Sequence, residues 1–278
     1  MERILKQLIQ LQDLNFTLME QRTLVPKAQL VDLENAIKTL MEDLPPETAR
    51  LYRSLQKRYD AAVVPEAKGT CSACGISLPT SLAAEIVSQK GIHQCPSCMR
   101  ILYHFEGPPR QLKKDIEKTG KPKAGVARFS SAELMLPQIE AEDRDGACAE
   151  LIRLMADQGF IEDPEDVLGA ALRREAIVST ALEHGLAFPH VRGVAVGGLT
   201  FALGLKKKGI KFDPSKGPLT HIVFLIVIPS ATSVFYLQVL AGLLETFQEK
   251  KARKQLLACK TPQEMWSTLT GLTKKTIP

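Results

Sequence analysis

No uninterrupted apolar stretch in this sequence is long enough to cross a bilayer. The longest, Ile222 to Ile228, falls well short of the ~20 residues a spanning helix needs and reads as a buried strand. The N-terminal run Met1-Glu2-Arg3-Ile4-Leu5-Lys6-Gln7 is amphipathic and lacks the apolar core of a secretory leader. A cytoplasmic location is therefore expected, and with it six cysteines that are not disulfides. A P-loop, a GxGxxG after a strand and a GxSxG elbow are all missing. So are internal repeats and any carboxylate pair or open metal site of recognisable spacing, which sets hydrolase chemistry aside.

The chain has 278 residues, and at ~150 residues per domain this suggests about two domains. Its net charge of +5 is unevenly spread. Residues 1–66 carry 9 basic and 10 acidic side chains, residues 67–128 carry 10 and 4, and residues 129–278 carry 17 of each. The basic excess belongs to the middle, so a polyanionic partner is to be sought there.

Four segments follow. Residues 1–66 read as a helical, coiled-coil hairpin. Leu30, Leu33, Ile37, Leu40 and Leu44 recur at spacings of three and four. Pro45-Pro46 interrupts them and Leu51, Tyr52, Leu55 and Tyr59 resume. The simplest arrangement is two antiparallel helices joined at the Pro-Pro turn, packing on themselves or forming a homodimer. The pattern carries no chemistry.

Residues 67–106 contain Cys71-Ser72-Ala73-Cys74 and Cys95-Pro96-Ser97-Cys98. One CxxC is ambiguous, but two at this separation point to a tetrahedral metal site. Zinc is favoured, although four thiolates also suit iron. Closed coordination by four cysteines makes the metal structural and leaves His93 and His104 outside the first coordination sphere. Gly75 suits the left-handed position that follows such a pair; Met99 stands at the equivalent place after the second. The run Gly69-Thr70-Cys71, Ser77-Leu78-Pro79 and Cys95 through Tyr103, with Leu11-Gln12 and Ala61 to Val64 in the preceding helices, resembles the four-cysteine zinc ribbon found behind coiled-coil hairpins in a widespread bacterial family. This covers residues 1–105 and implies a nucleic-acid or protein adaptor. That family's helices are usually much longer than these.

Residues 107–129 form a basic linker, with Lys113, Lys114, Lys118, Lys121, Lys123 and Arg128. A solvated tether is the ordinary reading, and nucleic-acid phosphate contacts are the sharper one.

Residues 130–278 alternate helix and strand, an α/β domain with a mixed sheet flanked by helices. Ser130 with Glu133 reads as a capping box that opens it, and Thr261 with Glu264 reads as another. A strand ending at Pro189 presents His190 beside Arg192. A neutral imidazole with neighbouring guanidinium supplies in principle what phosphoryl transfer needs, an in-line nucleophile and positive groups for the oxygens, but by spacing alone a single histidine beside an arginine reads first as a surface or core residue.

The run Ala171-Leu172-Arg173-Arg174-Glu175, Ser179-Thr180, Gly185 to His190, Gly209 to Asp213, Ile222 to Pro229 and Leu237 to Leu240 is similar to an enzyme IIA domain of the mannitol/fructose/nitrogen type, from the bacterial phosphoenolpyruvate-dependent phosphotransferase system. The resemblance implies that His190 accepts a phosphoryl group from a histidine phosphocarrier protein and passes it on, and that Arg174 steadies the oxygens; with no permease segment in the sequence, a regulated target protein is the expected recipient of the signal. One position departs from the pattern. Where that family has a second active-site histidine just before Leu-Gln, this chain has Tyr236, which cannot carry positive charge near neutral pH. His184 is the candidate to replace it in part. His221 is expected to be structural. The competing function is a non-catalytic adaptor with a degenerate enzyme IIA domain.

Overall fold

The computed structural model describes residues 2–24, 30–89, 91–104, 124–194, 198–213, 218–229 and 233–277. The chain divides into two compact units, Met1–Pro109 and Arg110–Pro278. The sequence-defined linker lies mostly outside the described residues.

In the first unit, three helices precede a small sheet: α1 (Glu2–Leu24), α2 (Val31–Glu42) and α3 (Pro46–Gln56). The Pro45-Pro46 break joins α2 to α3, with Pro46 at the first helical position, where a missing N–H does no harm. The hairpin itself is formed by α1 and α2, since Arg22 near the end of α1 pairs with Glu34 near the start of α2 at 2.8 Å. Leu5, Leu8 and Leu11 of α1 pack with Leu44, Ala49, Tyr52 and Leu55. Of the expected leucine seam, Leu33 and Leu44 are buried, while Leu30, Ile37 and Leu40 are only partly covered.

The helices and the ribbon share this core. Strand β1 (Val63–Ala67) is followed by β2 (Thr70–Cys71), α4 (Thr80–Val87), β3 (His93–Gln94) and β4 (Ile101–His104), in the sheet order β2-β1-β4-β3. Ala61 to Val64 are therefore not helical: Val63 and Val64 pair in parallel with Ile101 and Leu102. Gln12 of α1 acts as an extra rung, accepting from Val63 N and donating to Val63 O, both at 2.7 Å. Arg100 lies 3.7 Å over the Tyr59 ring and donates to Ala61 O. Its place in the Cys-Met-Arg motif thus reflects packing.

The second unit is the α/β layer: β5 (Met135–Leu136), α5 (Arg144–Asp157), α6 (Pro164–Ile177), β6 (Ala181–Leu182), β7 (Leu186–Ala187), β8 (His190–Val194), β9 (Thr200–Ile210), β10 (Thr220–Pro229), α7 (Ser233–Gln248), α8 (Lys250–Ala258) and α9 (Pro262–Thr273). The six-stranded sheet has the order β5-β9-β10-β7-β6, with β8 also on β10. β9 runs antiparallel to β10, whereas β7 and β8 run parallel to it, so the sheet is mixed. Ile222 to Ile228 are fully buried, as befits a strand covered on both faces.

The Thr261–Glu264 capping box is present in full. The Ser130–Glu133 box is not: Ser130 Oγ instead donates to Phe201 O at 2.7 Å, and no side chain caps the short turn at Ala132–Leu134. Residues Gly125–Arg128 form a 3-10 turn, with Val126 and Phe129 buried. Packing in the second unit therefore begins before Ser130, because two apolar side chains in the basic stretch have a core to enter.

Candidate functional site

The sheet places His190. Register runs unbroken from Leu186 opposite Ile222 to His190 opposite Ile226. The strand does not end at Pro189, as its sequence suggests, but resumes at once. Proline lacks a donor, yet Pro189 O still accepts from Ile226 N at 2.9 Å, so the ladder loses one bond and continues. His190 is consequently the first residue of β8, 1% exposed.

Its two nitrogens have distinct partners. Nδ1 faces Phe188 O at 3.1 Å. A carbonyl can only accept, so Nδ1 carries the proton. Nε2 is then the lone-pair nitrogen and receives Arg174 Nε–H at 3.2 Å. Arg174 lies in the last turn of α6, where a cation complements the helix dipole. Its Nη1 donates to Val178 O at 2.9 Å, which holds the guanidinium in place.

Glu175, buried next to Arg174, braces the same turn from the other side. Its carboxylate accepts from Thr180 N at 3.0 Å and from Thr180 Oγ1. Burial raises its pKa, while Thr180, Arg174 and His190 pull the other way. The matched run marked Glu175 and Thr180 without revealing that they clamp each other across the end of α6.

Tyr236, fully buried near the start of α7, lies 5.5 Å from the His190 ring, tilted by 46°. Arg192 Cζ sits 5.1 Å from the Tyr236 ring centre. The structure thus brings His190, Arg174, Arg192 and Tyr236 together. It does not bring His184. That residue is exposed in the turn between β6 and β7 at φ 70°, before Leu186, which itself precedes His190 by four strand residues or ~13 Å. The sequence could not show this, because nearness along a strand is not nearness across it. His221 is structural: its Nδ1 faces Lys206 O at 3.2 Å. A Cβ on Gly185 (φ 75°) or Gly209 (φ 82°) would come within 2.7 or 2.9 Å of its ring.

The second candidate site is the cysteine cluster. Sγ atoms of Cys71, Cys74, Cys95 and Cys98 all lie within 4.8 Å of one another. Cys71–Cys98 is 3.8 Å and Cys74–Cys95 is 3.6 Å, and Zn–S bonds of ~2.3 Å give a tetrahedral edge of ~3.8 Å. The donor set fits zinc. Gly75 N donates to Cys71 O and Met99 N to Cys95 O, with φ 73° at Gly75 and 63° at Met99. The two knuckles are alike, and Met99 adopts the glycine-like geometry despite its side chain. Burial pushes the Cys71 thiol up to about 12 and also raises Cys95. A metal ion would reverse both shifts. His104 Nδ1 pairs with buried Glu66 at 3.0 Å and His93 with Glu85 at 3.5 Å, and among the described residues the ligand cluster comprises the four cysteines without either histidine.

Residues 128–271 match the family described as phosphoenolpyruvate-dependent sugar phosphotransferase system, EIIA 2, and residues 70–102 match the C4-type zinc ribbon domain. The first match spans just over half of the chain, and the chain belongs to that EIIA family. It is 27% identical over 144 residues to a fructose-specific EIIA component of Haloferax volcanii, covering 52% of this chain and 94% of that one. It is 24% identical over 144 residues to a nitrogen regulatory protein of Bradyrhizobium diazoefficiens, again covering 52% and 94%. Among solved structures, the nitrogen regulatory protein IIA-Ntr of Neisseria meningitidis aligns over 51% of this chain and 97% of its own at 24% identity, with a TM-score of 0.47.

Proposed function

We propose that this protein is a phosphorylation-dependent carrier or regulator that accepts a phosphoryl group on His190 from a histidine phosphocarrier protein. The observation that carries this reading is the pairing of His190: Nδ1 is fixed as a donor to Phe188 O, which leaves Nε2 as the nucleophile facing Arg174. In the transfer, the Nε2 lone pair forms the new N–P bond as the donor's N–P bond breaks, and the donor nitrogen keeps the electron pair. Arg174 exchanges its hydrogen bond to Nε2 for bonds to the phosphoryl oxygens, and Arg192 lends a second positive group. The Nδ1 proton stays, because Phe188 O cannot take it. The phosphorylated ring remains protonated and is a good leaving group for onward transfer.

In this reading residues 1–66 and 67–106 are a helical and zinc-ribbon adaptor module, residues 107–129 a tether and residues 130–278 the phosphoacceptor domain, working in the cytoplasm. Zinc would be held by Cys71, Cys74, Cys95 and Cys98 as a structural ion. A regulatory output follows from the charge change, since the transferred phosphoryl group carries about −1.5 to −2, offset in part by the positive ring that keeps its Nδ1 proton. Incubation with phosphoenolpyruvate, enzyme I and the phosphocarrier, read by intact mass, tests it: one phosphate is gained and His190→Ala abolishes the gain.

A second reading is a non-catalytic adaptor whose EIIA domain is degenerate. Tyr236 in place of an imidazole, with His190 buried against it, favours it. Absence of any phosphate gain in the same experiment is its signature.

A further inference from the structure

The zero net charge of residues 129–278 is a cancellation. Residues 129–244 carry 10 basic and 14 acidic side chains, and residues 245–278 carry 7 and 3. Of those seven, Arg253 is used within the fold, donating to Phe247 O and Gln248 O at the end of α7. Lys250, Lys251 and Lys254 stand exposed on α8, Lys260 stands exposed between α8 and α9, and Lys274 and Lys275 stand exposed in the turn after α9.

The fold lays the C-terminal turn on α7, the helix that leads into α8. Thr276 Oγ1 bonds Thr246 Oγ1 at 2.6 Å, and the chain at Thr276 and Ile277 lies so close to Gly242 that a Cβ there would meet it at 2.6 Å. The C-terminal turn is thereby pinned along the last turns of α7, next to the point where α8 begins. On α8, residues 250, 251 and 254 are neighbours at spacings of three and four. None of the five lysines on α8 and the C-terminal turn makes an ion pair among the described residues, although Glu245 and Glu249 lie nearby and are exposed.

We infer that these five lysines, on α8 and on the C-terminal turn, together bind the phosphate backbone of a nucleic acid. Its composition separates that partner from two others. Lysine is depleted at protein–protein interfaces, whose anchors are Trp, Tyr, Phe, Met and Arg, and no large exposed apolar residue lies between positions 245 and 277. An interfacial helix needs an apolar face for the acyl layer, whereas Ala252 and Leu256 of α8 are buried in the domain. What remains is a set of solvated point charges that neutralise phosphates without reading bases. This surface does not rest on the reading of His190.

The test is fluorescence anisotropy of the full chain with a labelled mixed-sequence DNA duplex of about two helical turns, titrated across salt concentrations. The variant replaces Lys250, Lys251, Lys254, Lys274 and Lys275 with Gln. The inference predicts at least roughly tenfold weaker binding at low salt, and a log-affinity against log-salt slope shallower by about 0.9 for each lysine that contacted a phosphate. The variant's melting temperature stays that of the parent, because all five side chains are exposed. The Lys274→Gln/Lys275→Gln pair alone gives a smaller change in the same direction. Unchanged affinity and slope in the five-lysine variant overturn the inference. So does equally tight, equally lysine-dependent binding to phosphatidylserine vesicles or to polyglutamate.

Discussion

Arg174 Nε reaches His190 Nε2 across 3.2 Å, while Arg174 Nη1 is tied to Val178 O. One guanidinium therefore faces the nucleophilic nitrogen and is anchored to the end of its own helix. This relationship sets both the direction of the imidazole and the positive charge available to a phosphoryl group.

Arg174→Ala removes a preorganised donor. Loss of one such donor typically lowers a rate by a hundredfold or more, so phosphate uptake should fall by about that factor. Arg174→Lys should recover little of it, since lysine lacks the planar fork. Rapid-quench phosphorylation with the labelled carrier measures both. Retention of the parental rate in Arg174→Ala would contradict the assignment.

Tyr236→His restores an ionisable imidazole beside the His190 ring. Onward transfer from phosphorylated His190 should speed up by roughly a hundredfold, the low end of general acid–base effects. Tyr236→Phe should not produce that gain. The decay of the phosphorylated protein in the presence of an acceptor component reports the rates.

Glu175→Ala leaves Thr180 N–H and Oγ1–H unsatisfied in a buried place. A loss of about 1–3 kcal/mol is expected, seen by denaturant unfolding of the full chain. The pH dependence has a definite sign. Burial raises the folded pKa of Glu175, so its contribution to stability is fully present below the ordinary carboxylate range. That contribution declines as pH rises through the elevated folded value. Glu175→Gln should remove this part of the pH profile in thermal melts.

Gln12→Ala removes both bonds to the Val63 backbone. The first unit should lose about 1–3 kcal/mol, although Gln12 lies far from the cysteines in sequence. The coupling appears as faster hydrogen exchange at Val63 and Val64.

Chelation should undo the ribbon. Four thiolates supply the closure of β1 to β4, and burial disfavours two of them as free anions. Metal analysis should give one zinc per chain, and Cys98→Ser or a chelator should expose the ribbon to protease while the second unit keeps its melting transition. A protease pattern unaffected by chelation would argue against a structural ion.

Much of this was legible in the residues. The doubled CxxC named its own site, because the donor set and spacing are the signal. The buried strand Ile222 to Ile228 and the Thr261 cap were local patterns and formed as read. What was hidden was long-range. Val63 and Val64 became part of a strand because Gln12 and β4 offer partners on both sides, and nothing nearby in sequence shows that. Ser130 left its expected capping role for the carbonyl of Phe201, a partner 71 residues away. His184 read as a neighbour of His190 because sequence distance is short, yet the intervening chain is extended. The Glu175–Thr180 clamp needed the end of α6 to be seen in three dimensions.

The central claim is that His190 Nε2 accepts phosphate. Intact-mass measurement after incubation with phosphoenolpyruvate, enzyme I and the phosphocarrier tests it most directly. The account predicts a gain of one phosphoryl group, lost in His190→Ala and kept in His184→Ala. No gain in the parent chain, or a gain that survives His190→Ala, would contradict it.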